Sequence, residues 1–226
     1  MSEPRRVYIL RQLYEAGMLP MFSHAEEKIS LHVLEALYQG GVHVVEFTNR
    51  HARALEIFRV LKKESLINMP GLVLGAGTVM NLEQAKAFAG EGADFIVQPV
   101  TDKAVGAFCT ARDLFWCPGA ATLNEIVQAH DLGADIVKLF PAEHLGGPGY
   151  LRAIMAPCPW LRLLPTGGVR PQREFLQPWF EAGARVVGIS SRLFTPEILS
   201  TGTYGAITEQ VAQVLHSIQI IQKQTK

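Results

Sequence analysis

Eight short apolar runs, each followed by a stretch with helical periodicity, leave this chain very few architectures. The runs are Leu19–Phe22, Val42–Phe47, Leu72–Leu74, Phe95–Val97, Leu114–Cys117, Ile136–Phe140, Leu161–Leu164 and Val186–Ile189. Runs this short and this apolar suit strands buried on both faces, as in a parallel sheet covered by helices. Between them, Ala25–Leu37 carries apolar residues at helical spacing, with Glu26, Glu27 and Lys28 charged, and Asn81 followed by Glu83 has the cap and first-turn acid of a helix start. Four joints repeat: Gly40-Gly41-Val42, Gly92-Ala93-Asp94, Gly133-Ala134-Asp135 and Gly183-Ala184-Arg185. A glycine just past a helix takes the left-handed conformation without a steric penalty and turns the chain into the next strand. Eight such units favour an α/β fold of the closed (β/α)₈ TIM-barrel type over an open doubly wound sheet. The absence of a GxGxxG after the first strand points the same way. No linker or low-complexity segment interrupts the chain, so residues 1–226 read as a single domain. Extra helices are expected at about Pro4 to Ala16 and from Tyr204 to Gln222.

Composition removes several function classes. Hydrophobic residues make up 48% and charged residues 19%, which suits a globular chain with a large core. Lys plus Arg equals Asp plus Glu at 21 each, with no basic block, so there is no electrostatic basis for a nucleic-acid or anionic-membrane partner. The longest apolar stretches fall far short of the roughly 20 residues that span a bilayer. Arg5, Arg6 and Arg11 are not followed by the apolar core of a secretory signal. A soluble, cytoplasmic protein is expected. Cys109, Cys117 and Cys158 are odd in number and form no CxxC pair, so free thiols are expected rather than a disulfide framework or a zinc site. His24, His32, His43, His51, His130, His144 and His216 show neither HxH nor HExxH spacing, and no metal site is expected.

In a barrel of parallel strands, chemistry gathers at the strands' C-terminal ends. The second strand reads Val44-Val45-Glu46-Phe47-Thr48-Asn49-Arg50, with a carboxylate in an apolar setting where burial is costly. The sixth reads Asp135-Ile136-Val137-Lys138-Leu139-Phe140-Pro141, with Lys138 flanked by two apolar residues on each side. A structural ion pair between Lys138 and Glu46, or a lysine reaching out of the barrel mouth, is the plain alternative. The chemical reading is that an apolar setting disfavours the ammonium form. The neutral amine then adds to a ketone as a Schiff-base nucleophile, and Glu46 shuttles protons. The seventh strand ends in Pro165-Thr166-Gly167-Gly168-Val169 and the eighth in Gly188-Ile189-Ser190-Ser191-Arg192. Glycine turns after these two strands are the usual phosphate cradle of such barrels, and Ser190 or Ser191 adds a hydroxyl donor. Arg50, on the loop above Glu46, suits bidentate pairing with a substrate carboxylate. Gly75-Ala76-Gly77-Thr78, Gln98-Pro99 and Cys117-Pro118-Gly119 place small or hydroxyl groups around the same mouth.

Four of these segments together resemble the 2-keto-3-deoxy-6-phosphogluconate and 4-hydroxy-2-oxoglutarate aldolase family: Glu46-Phe47-Thr48-Asn49-Arg50, Gly75-Ala76-Gly77-Thr78-Val79, Lys138-Leu139-Phe140-Pro141-Ala142 and Pro165-Thr166-Gly167-Gly168-Val169. The resemblance runs from Gly17-Met18-Leu19-Pro20 to Arg192-Leu193-Phe194. It implies a class I aldolase with a (β/α)₈ fold, commonly a homotrimer, that needs neither metal nor organic cofactor. Its partners would be a phosphorylated 2-keto sugar acid and pyruvate. Lys138 matches the family's Schiff-base lysine and Glu46 its proton-transferring glutamate. Arg50 and Thr78 match positions around the pyruvate carboxylate, Pro99 and Phe140 match pocket-lining positions, and Thr166, Gly167 and Gly168 match part of the phosphate wall. Two departures stand out. Gln98 replaces a small serine, and Gly188-Ile189-Ser190-Ser191 replaces Gly-x-Gly-Ser, so phosphate affinity or the second substrate is expected to differ.

Two other functions fit part of this pattern. A phosphosugar epimerase or isomerase would keep the glycine loops and use Glu46 or Lys138 as acid and base, without a covalent adduct. A non-catalytic sugar-phosphate-binding barrel would have no need of a buried amine.

Overall fold

A computed structural model describes residues 3–190 and 192–224. A helix opens it, α1 (Arg5–Ala16), followed by β1 (Met18–Phe22), α2 (Glu27–Gln39), β2 (Val44–Thr48), α3 (Ala54–Asn68), β3 (Val73–Gly77), α4 (Leu82–Gly90), β4 (Phe95–Val97) and α5 (Lys103–Ala111). The second half runs β5 (Phe115–Cys117), β6 (Gly119–Ala120), α6 (Leu123–Asp131), β7 (Val137–Leu139), α7 (Gly147–Met155), β8 (Leu163–Pro165), α8 (Arg173–Glu181), β9 (Val187–Ile189), α9 (Pro196–Thr201) and α10 (Gly205–Gln224). Each of the eight apolar runs overlaps a strand, and every pairing between named strands is parallel. The strands lie in two sheets, ordered β5-β4-β3-β2-β1-β9 and β6-β7-β8.

The expected architecture of eight strands is therefore modified to nine strands among the described residues. Pro118 is the reason. Proline has no backbone N–H to give to a ladder, so the fifth strand breaks there into β5, within the fifth run, and β6 beyond it. The Pro118 carbonyl still accepts from Lys138 N at 2.8 Å, and Gly119 then registers with Lys138. At the far edge, an isolated parallel bridge joins Thr166, just past β8, to Gly188 of β9.

Side chains alternate between two cores. Leu19, Val44, Val73, Phe95, Val97, Phe115, Cys117, Ile136, Leu164 and Val186 form an inner cluster with Ile9 and Leu13 of α1. Their strand neighbours, such as Phe47, Ile96, Trp116 and Val187, face the helices in a larger outer cluster. Helix α1 thus covers one end of the inner core and leaves the strands' C-terminal ends at the other. The Gly-Ala-Asp joints hold α1 there. Gly92 and Gly133 take positive φ of 85° and 91°. Asp94 accepts from Leu74 N and pairs with Arg5 and Lys62, while Asp135 accepts from Trp116 N and pairs with Arg6. An exposed pair such as Arg5–Asp94 contributes at most about 1 kcal/mol. The amide bonds that the same carboxylates accept tie each helix–strand joint to the neighbouring strand. Local signals behave as their residue types require: Asn81 caps α4 by accepting from Gln84 N, and Thr122 and Glu125 close a capping box on α6.

Candidate active site

Glu46 and Lys138 both project from strands with inner-face parity, two residues beyond Val44 and Ile136 of the inner core. Lys138 Nζ lies 3.7 Å from Glu46 Oε1, with side-chain exposures of 5% and 0%. Neither Glu46 oxygen has a hydrogen-bond partner among the described residues. A buried carboxylate with no donor is costly, and this one faces an amine across a gap. Phe140 closes another side, with its ring centroid 5.6 Å from Nζ.

Space for the carboxylate comes from β3. Gly75 registers with Glu46 and Gly77 with Thr48. A Cβ placed on Gly77 would collide with Glu46 Oε1 and Cδ, and one on Gly75 would strike the Phe95 ring. Gly77 is thus a clearing for Glu46, and Gly75 one for Phe95. Gly77→Ala is expected to retain the fold, at an overpacking cost of about 1–3 kcal/mol. It should push Glu46 off Lys138, and a misplacement on the order of 1 Å can lower turnover about 10²-fold. Steady-state kinetics beside thermal unfolding would check this, and an undiminished rate would show that the position of Glu46 is not critical.

The other candidate residues distribute around this pair. Thr78 follows directly, with φ of 56°, and Asn49 N donates to the Gly77 carbonyl at 2.8 Å, which brings the Arg50 loop beside Thr78. Thr166 is buried and donates its hydroxyl to Leu164 O. Gly167 and Gly168 take φ of 94° and 89°, and a Cβ on Gly167 would meet the Phe140 ring at 3.3 Å. Pro99 and Phe140 share a cavity of about 390 Å³ with Gly119 and Ala120. Arg50 and Ser190 share another, of about 340 Å³, and Gly168 lines a third, of about 300 Å³, with Glu143 and Arg170. Ser191 lies outside the described residues.

Gln98 has a different role from the one its position in the motif suggests. Its Oε1 accepts from Trp116 Nε1 at 2.9 Å. Trp116 belongs to the helix-facing core, where its ring lies against Gly106 of α5. The side chain that replaces the expected serine is therefore engaged in the outer layer with an indole.

Cys117 belongs to the inner core and lies near Lys138, and burial drives its thiol well above the ordinary cysteine value. It stays protonated and does not compete with an amine as nucleophile. Among the described residues, no group of three or more His, Cys, Asp or Glu side chains is gathered as a metal donor set. Three residues near the mouth carried no sequence signal: Ser23, His24 and His51 line the cavity that contains Arg50 and Ser190. Burial lowers the His51 pKa from the usual histidine value, the neighbouring His24 and Arg53 charges add to this, and a His24 backbone group opposes it.

A family model described as KDPG and KHG aldolase matches residues 9–210. The KHG/KDPG aldolase of Escherichia coli K12 is 32% identical over 189 residues, covering 82% of this chain and 84% of that protein. The 2-dehydro-3-deoxy-phosphogluconate aldolase of Treponema pallidum is 28% identical over 218 residues, covering 95% of this chain and 100% of that one. A crystal structure of KDPG aldolase from Legionella pneumophila, with pyruvate captured as a covalent carbinolamine intermediate, superposes with a TM-score of 0.82 at 25% identity, covering 94% of this chain and 98% of that one.

Proposed function

The chain belongs to the KDPG and KHG aldolase family, a family of carbon–carbon lyases, and from that membership we propose that Lys138 and Glu46 carry a class I aldol cleavage of 2-keto-3-deoxy-6-phosphogluconate to pyruvate and glyceraldehyde 3-phosphate. The observation that carries the assignment of residues is the 3.7 Å approach of a buried amine to a buried carboxylate with no other partner among the described residues. A structural ion pair would be expected to satisfy the carboxylate with further donors.

The chemistry follows from that pair. The Lys138 amine, with its lone pair free, adds to the C2 ketone, and loss of water from the carbinolamine leaves an iminium. The C3–C4 bond then breaks. Its electron pair flows into the iminium to give an enamine, the C4 hydroxyl loses its proton to a base, and the aldehyde departs. In this scheme Glu46 accepts that proton and returns one to C3 of the enamine. Hydrolysis of the resulting iminium releases pyruvate and restores the amine. Arg50 and Thr78 are assigned to the pyruvate carboxylate and Pro99 and Phe140 to the pocket wall. Thr166, Gly167, Gly168, Ser190 and Ser191 are assigned to the phosphate side. 4-Hydroxy-2-oxoglutarate, with the same C1–C4 pattern, is a second substrate under this scheme.

The finer architecture goes with this reading. The strands are taken as one closed (β/α)₈ barrel, with β5 and β6 sharing a single staff. The Thr166–Gly188 bridge between the β8 and β9 edges supports the closure. Residues 1–226 act as one domain, supported by the bond from Gln222 Nε2 of the last helix to Tyr14 O of the first at 3.0 Å. A homotrimeric assembly rests on the family resemblance, and a cytoplasmic location on the composition of the chain. No helix among the described residues is long and apolar enough to cross a membrane.

Borohydride reduction in the presence of pyruvate tests the mechanism. A reduced pyruvyl adduct is expected on the peptide that contains Lys138, read by intact and peptide mass spectrometry. Folded protein that forms no adduct would favour the epimerase or binding reading instead.

A further inference from the structure

The cavity of about 340 Å³ at the mouth is lined by Met21, Ser23, His24, Arg50, His51 and Ser190 on its strand and loop side, with Phe194 and Leu199 opposite. Its volume falls within the range of small-ligand sites, roughly 300–1,000 Å³. Two of its side chains are unusual. Ser23 Oγ and both ring nitrogens of His51 are shielded from solvent and have no hydrogen-bond partner of proper geometry among the described residues. Each such group costs free energy unless a partner arrives. By contrast, His24 Nδ1 already accepts from Glu26 N at 3.1 Å.

The cavity is adjacent to the chemistry. Met21 is the register partner of Glu46, and its Cε lies within 2.8 Å of where a Gly188 Cβ would sit, next to Thr166. Met21, which lines the recess, is thus the strand neighbour of Glu46. The donor set specifies the ligand. Arg50 and Ser190, assigned above to the pyruvate carboxylate and to the phosphate, both line it, so the recess is read for what lies between those two ends of the substrate. A serine hydroxyl and a neutral imidazole each donate and accept, which calls for a hydroxyl.

We propose that this recess receives the hydroxylated part of the substrate's aldehyde half, and that His51 and Ser23 are specificity-determining residues that read a hydroxyl beyond C4. This rests on the aldolase reading above. It adds a recognition surface formed by β1, the Arg50 loop and β9, apart from the glycine turn after β8. Substrates with only a short carboxylate beyond C4 leave His51 and Ser23 unmet, whereas a longer polyol phosphate satisfies them.

The test compares His51→Leu and Ser23→Ala with wild type in three readouts: pyruvate trapping by borohydride, and kcat/KM for 2-keto-3-deoxy-6-phosphogluconate and for 4-hydroxy-2-oxoglutarate. Trapping should stay at the wild-type level. kcat/KM for the longer substrate should fall at least tenfold, and for the shorter one less than threefold. His51→Gln, which keeps a donor and an acceptor, should recover part of the loss. Equal losses on both substrates would assign His51 a structural role and overturn the proposal, as would no loss on either. If the leucine variant fails to fold, Ser23→Ala and His51→Gln decide it by the same comparison. A wild-type protein that traps no pyruvate would overturn the aldolase reading itself and this inference with it. Intact trapping with indifferent variants overturns the inference alone.

Discussion

Lys138→Met is expected to lower aldol cleavage by at least about 10⁴-fold and to abolish the borohydride adduct, while the protein stays folded. Removal of a covalent nucleophile commonly costs about 10⁶-fold, so 10⁴ is a cautious threshold. Methionine is the better replacement because Lys138 is only 4% exposed and packs among apolar neighbours. Either replacement leaves Glu46 without its amine, which costs about 3–5 kcal/mol, and alanine adds a void to that loss. A loss of activity in Lys138→Ala could then reflect unfolding. Circular dichroism and thermal unfolding of the methionine variant separate the two causes. Near-native turnover in folded Lys138→Met, or an adduct on a different peptide, would remove Lys138 from its role.

The second large effect belongs to Glu46→Gln. Glutamine fits the clearing that Gly77 provides, but it cannot take or return a proton. Exchange of the pyruvate methyl protons with solvent, followed by deuterium incorporation in NMR spectra, should slow by about 10²–10⁴-fold, the usual contribution of a general base. The pyruvyl adduct should still form, because Lys138 remains in place. An unchanged exchange rate would mean that another group, or a bound water, moves the proton. Arrest of both exchange and adduct formation would mean that Glu46 is needed earlier, at carbinolamine formation.

The pair was legible in the sequence because a charge inside an apolar run is improbable by burial energetics alone. What the sequence did not carry was how the partners fit. The closeness of Gly77 to Glu46 depends on the register of β2 and β3, and the spacing of the two segments says nothing of it. Gln98 shows the same limit from the other side. Its place next to Pro99 suggests a pocket residue, yet it follows the parity of Ile96 and bonds to Trp116 in the helix-facing layer. The eight apolar runs were visible because strands buried on both faces cannot hide their composition. The division of the fifth strand at Pro118 depends on a missing donor in a ladder not yet formed. Helix α9 (Pro196–Thr201) is too short to show a period. Ser23, His51 and Ser190 come from three separate segments, and nothing local in any of them marks a shared cavity.

The two aspartates that anchor α1 also set an order of events during synthesis. Arg5 precedes Asp94 by 89 residues and Arg6 precedes Asp135 by 129. At about 5–20 residues per second, the first helix emerges roughly 4–18 s before its first partner carboxylate exists and longer before its second. Ile9 and Leu13 must stay exposed, or rest on temporary neighbours, through that interval. The seal at the base of the fold therefore closes in steps, first at Asp94 and then at Asp135, and half-made chains with an unmatched apolar helix are the species a chaperone would meet.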